Sequence, residues 1–501
     1  MISVLGLVFA AAFAQDTAPR ESRAVTYREA LQLSVINNMT VTQARTSRDQ
    51  AEGTLTGSRG QFDPRYSFDV SRGRSRVQGF INGTDIAFIT ETDTWSVGQS
   101  LSSTLPTGTE VSASLNTDNN SIEFFGDGAD QRGNLETYTT RGNLSITQQL
   151  LKGVWFRYNV QNVTQAQNAL DIAELELEKR RQEALYQAAE AYWNWVYQWQ
   201  LWEISLESVS VAEEGLRVGK LQVESGQLAR VEATRLEAAL VQAKQAAIEA
   251  ENVAERAANA VLMVMGQSPD ERVLPATPPG EVPDLVDLDA EQAIDVAMAQ
   301  NLDLRLAEMN LDQADLALSF AKHGRLPSLS ATATTGVGSQ RCPEGLGPGD
   351  CGVGNAASTF GGLFEDDRQP FWEVSGNFTV PIGNRAARGQ QIEAEARRVQ
   401  REEELEAQVR QVAADVEEQV LALRSARLQT ELADANLQLA IETLAAEEAL
   451  DDAGRNLRKD VLEARTELDR AKADAAKART DYRLAQAQLL RLQGQLTEAV
   501  P

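Results

Sequence analysis

The chain is short of the side chains that do chemistry. Its 501 residues include one histidine, His323, and two cysteines, and aromatic residues make up only 6%. With one imidazole, no glycine-rich phosphate loop and no nucleophile elbow, nothing is present to assemble a nucleophile, its base and an oxyanion cradle. The chain therefore reads as no enzyme, and no cofactor or resident metal is expected. Positive charge is also scarce: 47 Lys and Arg stand against 73 Asp and Glu, a net charge of −26. That removes the basic footprint nucleic acid requires. It suits a self-repelling soluble surface or an acidic lumen that favours cations. Beyond the first residues no run of 18 apolar residues occurs, so no transmembrane helix is expected. A membrane role would have to come through a β-barrel. Proline is absent from Thr107 to Ser268 and from Ile382 to Val500, which leaves room for very long helices.

At the start, Met1 to Phe9 is a short apolar stretch followed by Ala12-x-Ala14, a small-residue cleavage site. Residues 1–14 read as a signal peptide with no basic residue ahead of the apolar stretch, and the chain as exported. No cysteine lies near the cleavage site, so no lipid anchor is expected. Cys342 and Cys351 flank a Gly/Pro-rich loop. In an exported chain this reads as a local disulfide; a metal pair is the alternative, without histidine partners.

The chain is a duplication. Sliding 263 positions lays Ala30 on Ala293, Asn38 on Asn301 and Pro64 on Pro327; sliding 228 lays Gly226 on Gly454 and Gly266 on Gly494. The offsets differ by 35 residues, so the second copy is shorter, mainly between Pro327 and its long helix. Each copy reads in one order: a helix of about 35 residues (Tyr27 to Gly60; Ala290 to His323), a strand region, a very long helix, a Gly-marked turn and a second long helix. The first repeat covers 15–266, with strands about 64–150 and a hairpin about 154–266. A linker at 267–288 holds five of the fourteen prolines. The second repeat covers 289–494, with strands about 328–381 and a hairpin about 384–494, and 495–501 is a tail.

The second helix of each copy carries a heptad seam. One runs Leu240, Ala243, Ala247, Ala250, Ala254, Ala257, Val261, Val264. The other runs Leu468, Ala471, Ala475, Ala478, Tyr482, Ala485, Leu489, Leu492. The helix before Gly454 spans roughly 69 residues, or about 100 Å, and the one after it roughly 40, or about 60 Å. Coiled hairpins need such lengths; a compact domain does not. In the strand regions Tyr66, Phe68 and Val70 alternate with Ser67, Asp69 and Ser71, and Trp372, Val374 and Phe378 alternate with polar residues. That period fits barrel strands or a half-buried soluble sheet. The aromatic cluster Tyr192, Trp193, Trp195, Tyr197, Trp199 and Trp202 lies inside a helix and reads as packing in preference to a membrane belt.

Together these features resemble the TolC-like outer-membrane efflux family (outer membrane factors) over nearly the whole chain. The local phrases are Ile146-Thr-Gln-Gln-Leu-Leu-Lys-Gly153, Ala191-Tyr-Trp-Asn194, and the tips at Gly226 to Glu232 and Gly454 to Glu463. The duplicated order is the specific part. The resemblance implies a homotrimer in the outer membrane, mainly α. Four strands per protomer would make one twelve-stranded β-barrel, and long helical hairpins would make a trimeric α-barrel across the periplasm. It implies passive export in a tripartite efflux or type I secretion system, with a periplasmic adaptor and an inner-membrane pump as partners. Gly226 and Gly454 match tip glycines that meet the adaptor, and glycine also simply permits a tight helix-to-helix turn. Asp460 and Glu463 match a gate ring; i and i+3 share one helix face, and a threefold axis would gather six carboxylates. A solvated acidic face is the other reading. The family's aromatic and basic gate positions are here Asp451 and Asn456, so Arg455 or Arg458 becomes the substitute latch candidate, and Glu232 matches an acidic latch position of the family. A periplasmic adaptor or a structural coiled-coil protein are the competing readings. The first typically has one hairpin per chain; the second leaves the strands unexplained.

Overall fold

The computed structural model describes residues 23–80, 87–125, 132–226, 229–269, 271–278, 289–344, 351–366, 368–453 and 458–497. The leader at 1–14, Gly454 and Arg455 lie outside the described residues, as do 279–288 of the linker. The first copy runs β1 (Arg23–Val25), α1 (Tyr27–Asn37), α2 (Met39–Arg59), β2 (Arg65–Phe80), β3 (Ala87–Thr104), β4 (Thr109–Phe125) and β5 (Arg132–Gln149). It continues through α3 (Phe156–Asn159), α4 (Gln161–Glu224) and α5 (Arg230–Val264), with β6 (Val273–Pro275) in the linker. The second copy runs α6 (Ala290–Gln300), α7 (Leu302–Gly324), β7 (Ser328–Cys342), β8 (Gly352–Val353), α8 (Ala356–Gly361), β9 (Gln369–Thr379), α9 (Arg385–Asp452) and α10 (Arg458–Leu492). The chain divides into a helical unit (1–49, 171–310, 402–501) and a sheet-bearing unit (50–170, 311–401). Among the described residues, no helix is long and apolar enough to cross a membrane.

In the helical unit, neither short helix is one run of 35 residues. Each breaks at the same asparagine of the repeat. Asn38 and Asn301 are extended at ψ 127° and 126°. The Asn38 carboxamide oxygen accepts from the Thr40 amide at 2.8 Å, and that of Asn301 from the Leu304 amide at 3.0 Å, so each caps the helix that follows it. Asn301 also donates to the Leu492 carbonyl at 2.8 Å.

The first core of this unit gathers the fully buried Trp195, Tyr192, Leu31, Leu262 and Met265. Tyr27 of α1 packs at 5.4 Å from Tyr192 and 4.8 Å from Trp193. The Tyr192 hydroxyl accepts from the Thr277 amide at 3.0 Å and donates to the Val25 carbonyl at 3.2 Å. It thereby ties the small parallel ladder of β1 and β6 to α4. The heptad seams are dry where they are deepest: Ala247, Ala254, Ala257 and Val261 are buried on α5, and Leu468, Ala471, Ala475, Ala478, Tyr482 and Leu489 on α10. Val412, Val416, Val420 and Leu423 of α9 pack on α10's Tyr482 and Leu489. The small alanines let the helix axes approach closely, and each large apolar side chain removed from water contributes about 1.5–3 kcal/mol.

In the other unit, six long strands form one antiparallel sheet in the order β2-β3-β4-β5-β7-β9, with the short β8 beside β7. This corrects the expectation of four. By offset, β7 is the counterpart of β2, and β9 of β5. The first copy's surplus of residues is therefore a complete extra hairpin, β3–β4, hydrogen-bonded along its length on both sides. Its turn is docked by Asn159, which donates to the Pro106 carbonyl at 3.2 Å. One face is apolar: Tyr66, Phe68, Val70, Leu101, Leu144, Ile146, Trp372 and Val374 are all exposed on it or line its grooves. The other face is small and polar, with Ser67 paired to Ser100 at 2.7 Å, Ser71 to Ser96 at 2.7 Å and Ser145 to Thr334 at 3.0 Å. A disulfide joins Cys342 and Cys351, with 5.9 Å between Cα atoms. Beyond that loop, α8 lies on the apolar side of the sheet. Its Thr359 and the following Leu363 are buried, and Phe364 is 76% exposed.

Candidate functional site

The candidate site is the pair of hairpin turns. After α4 the chain reverses at Gly226, whose φ of +75° belongs to the left-handed region; a Cβ there would meet nothing within 4 Å. The glycine is thus required by backbone conformation, and its lack of a side chain leaves room for an incoming surface. Helix α5 restarts at Arg230, with Glu232 in its first turn. In the second copy α9 ends at Asp452 and α10 begins at Arg458, with Asp460 in its first turn.

The repeat offset lays Glu232 on Asp460 and Arg235 on Glu463. Both acids sit where an N-terminal helix dipole favours negative charge. Their neighbours differ. Arg235 donates to Glu232 at 2.7 Å, so the first turn neutralises itself. The second turn carries Asp460 and Glu463 three residues apart, on one face and of one sign. Arg455 lies outside the described residues.

Sequence reading missed a polar bridge between the two hairpins. Glu207 of α4 accepts from Arg465 at 2.6 Å and from Lys472 at 2.6 Å, both on α10. Beside it Ser208 donates to Asp469 at 2.5 Å. The hydrogen bond from Lys472, with the charge of Arg465 behind it, holds the Glu207 carboxyl below the usual carboxylate range. The one available signal was the seven-residue spacing of Arg465 and Lys472, which puts them on one stripe of α10; nothing local assigns Glu207 as their partner. Within the second hairpin, Arg479 pairs with Asp434 at 2.8 Å. His323 stacks near Trp155 and Tyr158, with ring centroids 5.2 Å and 4.7 Å away. Burial, with Lys152 nearby, keeps its pKa below the usual value. Among the described residues no cluster of His, Cys, Asp and Glu could hold a metal ion.

Residues 293–495 match the family described as outer membrane efflux protein. Among solved structures, the chain is similar to the CmeC outer membrane channel of Campylobacter jejuni, with a TM-score of 0.64 and 16% identity over 94% of this chain and 86% of that one. The outer membrane protein VceC of Vibrio cholerae aligns at 0.62 and 14% identity, over 93% and 96% of the two chains. The open state of the Neisseria gonorrhoeae MtrE outer membrane channel aligns at 0.62 and 18%, over 94% and 89%. No curated protein sequence matches the chain. At these identities the structural likeness establishes the fold.

Proposed function

We propose, for a chain whose second repeat matches the outer membrane efflux protein family, that it is the outer-membrane channel of a tripartite efflux or type I secretion system. Three copies enclose a passive duct. The sheet-bearing units sit in the outer membrane and the helical units extend into the periplasm, after export by a leader over residues 1–14. A periplasmic adaptor engages the turns at Gly226 and Gly454, and an inner-membrane pump supplies the energy.

One observation carries this reading. Helix α9 buries one heptad stripe within its own chain and leaves a second bare: Leu421, Leu428, Leu432 and Leu439 are 57%, 59%, 72% and 61% exposed. Their spacings of seven, four and seven keep them on one face, turned away from the seam. A doubly striped helix has a second helix as its natural neighbour. A second copy supplies it, and the exposed apolar face of the sheet suits lipid.

Asp460 and Glu463, two acids on one face of α10 at the second hairpin turn, form the gate ring, with Glu232, Arg455 and Arg458 as latch candidates. In planar bilayers, Asp460→Asn with Glu463→Gln should raise the multivalent-cation concentration needed for block by about tenfold or more, because six carboxylates leave a confined axis. Unchanged block removes both residues from the gate. A purified protein that stays monomeric and soluble without detergent removes the channel itself.

A further inference from the structure

The sheet ends in two open edges. β2 is hydrogen-bonded to β3 over all 16 of its residues, and β9 to β7 over all 11. Among the described residues neither has a strand on its other side. A bare 16-residue edge invites pairing with another chain. The six strands alternate in direction, so β2 and β9 run opposite ways and could pair antiparallel, but only between different copies.

The register of that pairing can be read from the ladders. Arg65 of β2 shares one row with Ser102, Ser112, Ser145, Thr334 and Glu373. Glu373 lies six residues before Thr379, the end of β9. Pro64 precedes β2 and Pro381 follows β9, and neither can extend a ladder as a donor. Levelling the two ends sets Arg65 of one copy beside Thr379 of the next. The shift of six is even, so polar side chains stay on the polar face and apolar ones on the apolar face.

We propose that β2 of each copy pairs with β9 of the next in this register, closing a barrel of eighteen strands instead of twelve. The inference rests on the trimeric channel reading above. Each copy contributes a stagger of six residues, so three contribute a stagger equal to the strand number. With about 3.3 Å of rise per residue and about 4.8 Å between strands, that stagger tilts the strands by about 35°. Closed barrels have tilts of about 35–45°. Since diameter grows roughly with strand number, the duct is about half again as wide as a twelve-stranded one. Its serine- and threonine-rich lining, without an aromatic constriction at Ser67, Ser100 and Ser114, suits large hydrated cargo.

The test is a pair of cysteines across the joint. In this register Ser67 faces Asn377 of the next copy, and the chain's own cysteines are already joined to each other. The mass of the detergent-solubilised protein is measured first, then Ser67→Cys with Asn377→Cys is oxidised. The expected result is conversion of trimers to covalently linked trimers, with neither single variant linking. Trimers that fail to link, or that link through Ser114→Cys with Asn377→Cys instead, leave β2–β3 outside the barrel and overturn the eighteen-stranded closure while leaving the channel intact. Monomers or dimers overturn the closure together with the trimeric reading.

Discussion

Two glycines mark the ends of the copies, and both hold the same left-handed backbone conformation. Gly266 and Gly494 have φ of +69° and +73°. After each, a glutamine amide reaches back to close the helix: Gln267 to the Leu262 carbonyl and Gln495 to the Leu490 carbonyl, both at 2.8 Å. A Cβ on Gly266 would lie 2.5 Å from the Asn37 Cβ, and one on Gly494 would lie 2.4 Å from the Gln300 carbonyl oxygen. The second obstacle is backbone and cannot swing aside. Gly494→Val therefore combines a left-handed valine with a backbone clash and should cost on the order of 3 kcal/mol. The expected reading is a clearly lower temperature at which trimers dissociate on gels, with Gly226→Val, at an open position, milder. Equal effects of the two would contradict the crowding argument.

At the scale of elements, the bridge from Glu207 to Arg465 and Lys472 joins α4 to α10, two helices that no sequence motif pairs. Its carboxyl has a lowered pKa, so the contact is fully present above the ordinary carboxylate pKa near 4.5 and is lost as pH falls through the lowered value. If the duct widens by separating these hairpins, Glu207→Gln should raise open-channel conductance at pH 7. The wild type should approach the variant as the pH is taken well below 4.5. Conductance independent of both substitution and pH would confine the bridge to stability.

What was legible in the sequence follows the same scale. The seams, the duplication and the alternating strands could be read because each repeats a period along the chain. The breaks at Asn38 and Asn301 were hidden because a helix-compatible apolar period continues across them, and a side-chain cap decides the matter. The extra hairpin β3–β4 was visible only as a length difference, since an insertion has no counterpart to align with. The bridge at Glu207 depends on packing between helices far apart in sequence. The acids at 460 and 463 were visible, whereas the pairing of Glu232 with Arg235 needed the side-chain geometry.

At the scale of the whole molecule, the bare stripe on α9 and the open sheet edges both ask for copies of the same chain. The stripe can be tested alone. Leu428→Glu with Leu432→Glu places six charges at a threefold helical interface while touching nothing in the chain's own seam. The expected outcome is a folded, detergent-soluble protein with unchanged helix content by circular dichroism and the mass of a monomer. Trimers that survive the double substitution would put the contact between copies elsewhere.

The unequal turns have one more consequence. Around a threefold axis the duplicated hairpins would present six posts, alternating between an arginine, Arg235, and a glutamate, Glu463, at one matched position. A docking ring of six identical sockets would thus meet opposite charges there in strict alternation. Salt would screen the pull on one set of sockets and the push on the other.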